Sequence, residues 1–437
     1  MQKINRRDFL GRGGSAAALA GLGPLILSAA NRGPSVAPAS RIGVALVGCG
    51  NQGSADLYEM MKTGLVEVAA VCDVDDSHAA KVAAEVERRQ KKRPRTERDF
   101  RRILDMKDVH AIVVGTPDHW HALMTILACD AGKDVYVEKP ACHEIAEGLA
   151  MIKAARGNKR VVQLGTQLRS TEHMRSAVDY VRSGKLGRIG LCRAWICDHG
   201  RRLRSGSGGN PPKGVDYDFW LGPAPARPFH PDCFHREWRW FGNYGTGQLG
   251  DRATHLLDIV RWGMNVELPA AVASTGGIFN FRDGRDTPDT QVVTYDLPEF
   301  CVVWEHRQWS NHAFDNQSLG FAFYGSDATL VGGYNGWEVI SEPKGRVVER
   351  AKGSLNHLAH VRNFLECVAS RERPTADIET GFTTTVWCLM GIIAQRVGRK
   401  LRFDAATKRF VGDDEANRLL SRAYRSPWNI PERYLAS

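Results

Sequence analysis

The chain has 437 residues, 59 Lys and Arg against 49 Asp and Glu, a formal net charge of +10, 43% hydrophobic residues and ten cysteines. That length leaves room for two domains, and the positive charge is spread along the chain with no basic stripe interleaved with aromatics, which argues against nucleic acid as a partner. The cysteines contain no C-x-x-C pair, which argues against structural zinc, and Cys72, Cys192, Cys301 and Cys388 sit in apolar runs as buried thiols do, so at most one disulfide is expected.

Asn5-Arg6-Arg7-Asp8-Phe9-Leu10 is a twin-arginine pattern. A weakly apolar Ala/Gly/Leu stretch follows over residues 13–30, interrupted by Gly21, Gly23 and Pro24 and too feebly hydrophobic for a good membrane anchor. Small-residue cleavage sites lie after Ala30 and after Ala39. Residues 1–39 are therefore expected to be a Tat export signal, whose removal leaves a periplasmic protein with no stable membrane insertion. Five cations and one acid lie in that leader, so the remainder carries +6.

Val44-Ala45-Leu46-Val47 reads as a buried strand and runs directly into Gly48-Cys49-Gly50-Asn51-Gln52-Gly53. Twenty residues past Gly53, after a second apolar run over residues 66–72, comes Asp73. Strand, glycine turn, helix, strand and acid in that order are the context of a dinucleotide fingerprint. Gly48 permits the turn, Gly50 lets the backbone approach a pyrophosphate, and Gly53 lets helix and strand pack closely. The anion would lie on the helix N-terminus. Asp73 can accept hydrogen bonds from a ribose 2′-OH and would repel a 2′-phosphate, so NAD is expected in preference to NADP; His78 and Lys81 are nearby potential cations.

Strands and helices alternate through residue 165. Ala111-Ile112-Val113-Val114 is a short strand ended by Gly115-Thr116-Pro117, and a helix is expected from about 119 to 131, where Gly132 stops it. Asp134-Val135-Tyr136-Val137 is a strand ended by Glu138-Lys139-Pro140, and Val161-Val162-Gln163-Leu164 is another. This is a doubly wound parallel sheet over residues 40–165. Its ligand residues should lie beyond the strand ends: the glycine loop, Asp73, Thr116, Pro117, Glu138, Lys139 and the stretch to Gln167.

From about residue 166 the pattern changes. After a helix over 172–183 and a strand over 189–197 comes a Gly/Pro/Arg-rich loop, 199–215. Apolar segments at 270–279, 290–296, 301–309, 319–324 and 329–331 alternate with turn signals, which predicts a mostly antiparallel sheet. Residues 355–402 read as helical. The second domain, 166–437, is expected to bind substrate and to carry subunit contacts in a dimer or tetramer.

Three motifs give the chain a specific resemblance: Gly48–Gly53, the stretch from Thr116-Pro117 and His121 to Glu138-Lys139-Pro140, and Asp251-Arg252-Ala253-Thr254-His255-Leu256-Leu257-Asp258. Together they resemble the glucose–fructose oxidoreductase / inositol dehydrogenase / rhizopine catabolism (Gfo/Idh/MocA) family. Tyr217-Asp218-Phe219-Trp220-Leu221-Gly222-Pro223 and Arg425-Ser426-Pro427-Trp428 resemble a Tat-exported branch of it. The resemblance implies that Lys139, Asp251 and His255 are catalytic and that His121 lies near the nicotinamide. The residue chemistry agrees. Asp251 and His255 are four apart, as on one face of a helix. An imidazole suits a base that takes a hydroxyl proton, and a lysine at a strand end can stabilise an alkoxide. Asp251 would orient the imidazole or bind a substrate hydroxyl, and Asp258 would sit behind the site or pair with Arg261 or Arg252. His-Trp-His at 119–121 with Asp118 is a poor metal site, so no metal is expected. His199, His230, His235 and the Trp-rich segment 216–262 are further candidates, as sugar-facing surfaces or as core.

The expected activity is hydride transfer between NAD and a secondary alcohol or ketone of a sugar, polyol or cyclitol. The alternative is a glycoside hydrolase that oxidises its sugar transiently on a retained NAD, eliminates the aglycone and restores the cofactor. A non-catalytic sugar binder is the third reading.

Overall fold

The structure is a computed structural model that describes residues 41–200, 202–203, 207–315 and 317–435. The twin-arginine leader lies outside the described residues. No helix among them is long and apolar enough to cross a membrane.

The first sheet grows from continuous apolar runs. Strands β1 (Ile42–Val47), β2 (Val66–Cys72), β3 (Arg95–Glu97), β4 (Ala111–Val114), β5 (Asp134–Val137) and β6 (Val162–Leu164) pair all in parallel in the order β3-β2-β1-β4-β5-β6. β4 and β5 are buried at every residue because helices cover both faces, which is why they read as unbroken apolar runs. The intervening helices are α1 (Asn51–Lys62), α2 (Asp76–Gln90), α3 (Phe100–Leu104), α4 (Asp118–Asp130) and α5 (Ile145–Gly157). The chain winds one way from β1 and the other way from β4, so the switch point lies between these neighbours and opens a cleft at their carboxyl ends. β3 falls in the basic stretch 88–102.

Helix α6 (Glu172–Arg182) leads to the second sheet. Its first strand is β7 (Ile189–Cys197), followed by helices α7 (Tyr217–Leu221), α8 (Gly247–Asp251) and α9 (Ala253–Met264). Strands β8 (Ala271–Gly277), β9 (Thr290–Asp296), β10 (Cys301–Arg307), β11 (Leu319–Gly325), β12 (Ala328–Gly333), β13 (Gly336–Ser341) and β14 (Val347–Lys352) then precede α10 (His357–Ser370) and α11 (Ile378–Val397). β15 (Leu401–Asp404) and β16 (Arg409–Phe410) close the order β14-β13-β12-β11-β7-β10-β9-β8-β15-β16. Every neighbouring pair is antiparallel except β7 with β10. The predicted doubly wound sheet and mostly antiparallel second sheet are both present.

Strand alternation corrects one expectation. β10 buries Val302, Trp304 and His306 and turns Cys301 outward, so this thiol is exposed. The other nine cysteines are buried, and all ten are free. Helix α10 comes late in the chain yet packs on the first sheet: its Val361, Phe364 and Leu365 share a core with Val44, Leu46, Leu57 and Val68. The 217–223 and 425–428 segments meet around Trp120. Phe219 stacks on that indole at 5.6 Å, Trp428 meets it edge-on at 4.8 Å, and Arg425 pairs with Asp218 at 2.6 Å.

Candidate active site

A cleft of about 1040 Å³ runs along the carboxyl ends of β1, β2, β4 and β5 and continues under the second sheet. At one end the backbone is built for a phosphate. Gly48 has φ +90°, and a Cβ there would lie 2.7 Å from the Gly115 carbonyl carbon. Gly53 fits under the turn, where a Cβ would lie 2.3 Å from the Gly48 oxygen. At Gly50 a Cβ would meet nothing within 4 Å, because that side is the open cleft. Gly50 is the N-cap of α1 and offers no side-chain cap, so the first N–H groups of the helix are open to an anion. Asp73 stands at the end of β2 and accepts from Cys49 N at 2.7 Å and Asp75 N at 2.9 Å. Burial pushes its carboxyl upward, while those N–H groups favour the charged form. This cradle fits a dinucleotide.

Gly48, Gly50, Asn51, Gln52, Asp73, Thr116, Pro117, Glu138, Lys139 and Gln167 all line the cleft, as their sequence positions predict. Gly53 and His121 do not. Gly53 is filled in behind the turn. His121 is buried between two carbonyls, Nδ1 at 2.7 Å from Pro140 O and Nε2 at 2.9 Å from Thr116 O, so it ties the two cofactor-side loops together from behind. Glu138 accepts from Gln167 Nε2 at 3.0 Å, and burial raises its pKa. His119 is likewise held between Tyr244 O and Trp220 O, and Asp118 accepts from Thr246 Oγ1 at 2.6 Å, so these side chains serve packing.

Asp75, His78 and His235 bring potential ligand atoms within 4.8 Å of one another, a cluster that their separation in sequence hides. The Asp75 carboxylate is already engaged, by Ser77 N and Oγ on one oxygen and by His235 Nε2 at 3.0 Å on the other. With the Asp75–Val215 bridge, this contact pins the 214–235 segment over the Asp73 end of the cleft.

At the other end Lys139 and the Asp251–His255 segment meet, 112 residues apart in sequence. Lys139 Nζ donates to Asp251 Oδ1 at 2.6 Å and to Asp251 O at 2.9 Å. Arg239 Nε reaches the same Oδ1 at 3.3 Å, and Arg252 Nε lies 3.6 Å from Oδ2. These cations hold the Asp251 carboxyl far below the usual carboxylate range against burial. Asp251 and His255 do not share a helix. α8 ends at Asp251, α9 begins at Ala253, and Arg252 occupies the break with φ −110° and ψ −40°. Asp251 therefore faces Lys139 and does not orient the imidazole. The His255 Nδ1 is buried without a partner, which leaves Nε2 for the cleft. Burial, with Lys139 and Arg252 beside it, pushes the His255 pKa down to about 3, so the ring is a neutral acceptor and not the near-neutral titrating group its residue type suggests.

Asp258 keeps the expected pairing with Arg261 only at 3.8 Å, and its main partner is one that its sequence position does not show. It is buried against Arg169, with Oδ2 2.6 Å from Nε and Oδ1 2.9 Å from Nη2, while Arg261 stands 3.8 Å away and Arg252 is elsewhere. Trp220 and Trp238 line the cleft but are largely buried, and Trp240 and His199 are more open to it. The sequence reading missed Asp198, Gln248, Arg236 and Arg239 as cleft residues and gave Arg252 no role at the reacting end. Nothing local marks them, although Arg236, Arg239, Gln248 and Arg252 lie inside the aromatic segment.

The family model for the oxidoreductase family NAD-binding Rossmann fold matches residues 42–166, and that for the oxidoreductase family C-terminal alpha/beta domain matches 205–274 and 347–430. The chain belongs to the Gfo/Idh/MocA oxidoreductase family. A levoglucosan dehydrogenase of Pseudarthrobacter phenanthrenivorans is 30% identical over 165 residues, covering 38% of this chain and 35% of that protein. A glycosyl hydrolase family 109 protein of Shewanella sp. (strain W3-18-1) is 24% identical over 208 residues, covering 43% and 45%. The chain thus matches less than half the length of these curated relatives. Among solved structures, levoglucosan dehydrogenase in complex with NADH and levoglucosan superposes with a TM-score of 0.64 at 19% identity, over 83% of this chain and 99% of that one. The aldose-aldose oxidoreductase from Caulobacter crescentus complexed with glycerol gives 0.64 at 19%, over 83% and 100%. These likenesses show the fold over 83% of this chain.

Proposed function

We propose that this protein is an NAD-dependent oxidoreductase acting on a secondary alcohol or ketone of a sugar, polyol or cyclitol. The observation that carries the reading is the convergence of Lys139, Asp251 and a neutral His255 at the end of a cleft whose other end is a dinucleotide cradle. A bound NAD would supply the hydride acceptor or donor. His255 Nε2 takes the proton of the substrate hydroxyl in oxidation and returns it in reduction. Two of the three Lys139 N–H donors are spent on Asp251, and the third is left for the substrate oxygen. Asp251 fixes the ammonium group, so the positive charge is already in place when the alkoxide develops. Levoglucosan dehydrogenase among the relatives supports the sugar class.

The glycosyl hydrolase family 109 relatives support a second reading, aglycone release with no net redox change. One experiment separates the two. The purified protein is tested for copurifying NAD(H), then assayed on sugars and nitrophenyl glycosides with and without added NAD. Net NADH production establishes the first reading, and aglycone release without net NADH establishes the second. Light scattering on the same sample tests the dimer or tetramer, an expectation supported by the solvent-facing Val347 and Val348 on edge strand β14 and by exposed Phe279.

NAD(H) is expected to bind at least tenfold more tightly than NADP(H), because Asp73 is fixed by two backbone N–H groups where a ribose would lie. Asp73→Ser is expected to narrow that gap in calorimetry; equal wild-type affinities would refute the assignment. Export by the Tat route remains part of the proposal, supported by Arg6 and Arg7. Replacing both by Lys is expected to retain the protein in the cytoplasm, and an unchanged periplasmic fraction would overturn it.

A further inference from the structure

We infer that the substrate is an anionic sugar, whose carboxylate or phosphate docks on Arg239 and Arg252 beside Asp251. This rests on the oxidoreductase reading and adds the substrate's charge to it. Three cations converge on one carboxylate: Lys139 at 2.6 Å, Arg239 at 3.3 Å and Arg252 at 3.6 Å from Asp251 oxygens. One lysine is enough to hold an alkoxide, so the two guanidinium groups are surplus to that task.

Nor are they built as structural ion pairs. Each approaches Asp251 through Nε and not as the two-pronged fork that an arginine makes with a carboxylate it serves to bury; Arg239 Nη1 also donates to Arg236 O at 3.2 Å, and Arg252 shares a hydrogen bond with Tyr334. Arg252 keeps 45% of its side chain open and Arg239 27%, against 12% for Lys139. Arg236 lines the same cleft, is exposed, and has no side-chain partner among the described residues.

Two further acids line this end. Glu237 is turned onto Trp240 Nε1 at 3.0 Å. Asp198 accepts from Gln248 Nε2 at 3.3 Å, and burial raises its pKa while Arg252 opposes that shift; its Oδ1 is buried without a partner. Four cations of this end, Lys139, Arg236, Arg239 and Arg252, face three acids, Asp251, Glu237 and Asp198, so one positive charge is in excess in a partly desolvated place, where an oxyanion binds a guanidinium strongly and with defined geometry. The Arg239 guanidinium also lies 4.4 Å over the Trp238 ring, which holds it flat at the cleft wall.

The test uses the NAD-loaded protein with glucose, glucuronate and glucose 6-phosphate, read by calorimetry and by kcat/KM. An anionic sugar is expected to bind at least tenfold more tightly than glucose, and whichever of the two anions does so identifies the oxyanion. Arg252→Gln and Arg239→Gln are expected to bring the anionic-to-neutral ratio of kcat/KM down about tenfold, and Arg252→Lys to recover part of it. The ratio cancels any general loss from disturbing Asp251. Glucose bound or turned over as well as both anions, or a ratio unmoved in both Gln variants, overturns the inference and leaves the oxidoreductase reading standing. Preferential anion binding with no turnover of any sugar does the reverse.

Discussion

His255→Ala is expected to lower turnover by about a hundredfold or more while leaving NAD affinity within a few-fold of wild type, and Lys139→Ala to lower turnover on the same scale. In the proposed reaction the two residues act on one substrate oxygen, Lys139 from the end of β5 and His255 from α9. His255 supplies the only buried neutral nitrogen base that lines the reacting end among the described residues, and Lys139 the fixed charge. Losing either leaves the cradle at Gly48–Asp73 intact, which is why binding and turnover should separate. Lys139→Ala still leaves Arg239 and Arg252 on Asp251, so the fold should survive, and a thermal melt checks this. The pH profile makes the assignment sharper. The base form of His255 is the neutral ring, which is lost only as pH falls through about 3. The acid limb of kcat/KM should therefore lie below pH 5 and not near 6.5, where a free imidazole titrates. A limb between 6 and 7 that disappears in His255→Ala would show an exposed, freely titrating imidazole instead. Near-normal turnover in His255→Ala would remove it from catalysis altogether.

The parts of this site that are legible in the sequence are those whose signal is local. A strand, three glycines and an acid at fixed spacing force one another's geometry, so the order of residues alone places the Gly48–Asp73 cradle. Lys139 is legible because it follows a short, fully buried strand. Asp251 and His255 are legible as a pair but not as to geometry. A spacing of four fits one helix face, and nothing in the residue types announces the break at Arg252 that turns Asp251 toward Lys139. Arg239, Gln248 and Asp198 reach the cleft from the turn before α8, from α8 itself and from the end of β7, and only the second sheet's topology brings them together. One arginine among 59 basic residues carries no mark of that. The same limit applies to α10, whose apolar stripe says that it packs but not on which sheet. Cys301 misleads for a simpler reason: its neighbours are apolar, yet a period of two sends it outward.

Arg169→Met is expected to destabilise the protein by about 3–5 kcal/mol, the scale for leaving a buried charge without its partner. Asp258 is almost fully buried one turn beyond His255 on α9, and its carboxyl is held below the ordinary range chiefly by Arg169, against the opposing effect of burial. Thr384 Oγ1 of α11 donates to it at 2.7 Å, and Arg169 stacks 5.1 Å from the Trp262 ring. Arg169 itself sits in the 3₁₀ turn Gln167–Ser170 directly after β6, so this pair is the joint between the cofactor sheet and the helix that carries His255. Because the folded pKa of Asp258 is lowered, its contribution is complete above the unfolded carboxyl pKa near 4 and is lost as pH falls below it. Urea unfolding at pH 7 reads the loss in Arg169→Met as a lower midpoint, and the double variant Arg169→Met/Asp258→Leu should recover much of it, since no carboxylate is then left buried and Arg261 keeps its bonds to Thr384 Oγ1 and Thr380 O. A midpoint shift worth less than about 1 kcal/mol in Arg169→Met would mean that water or Arg261 reaches the Asp258 carboxylate, and that the joint is held by packing alone.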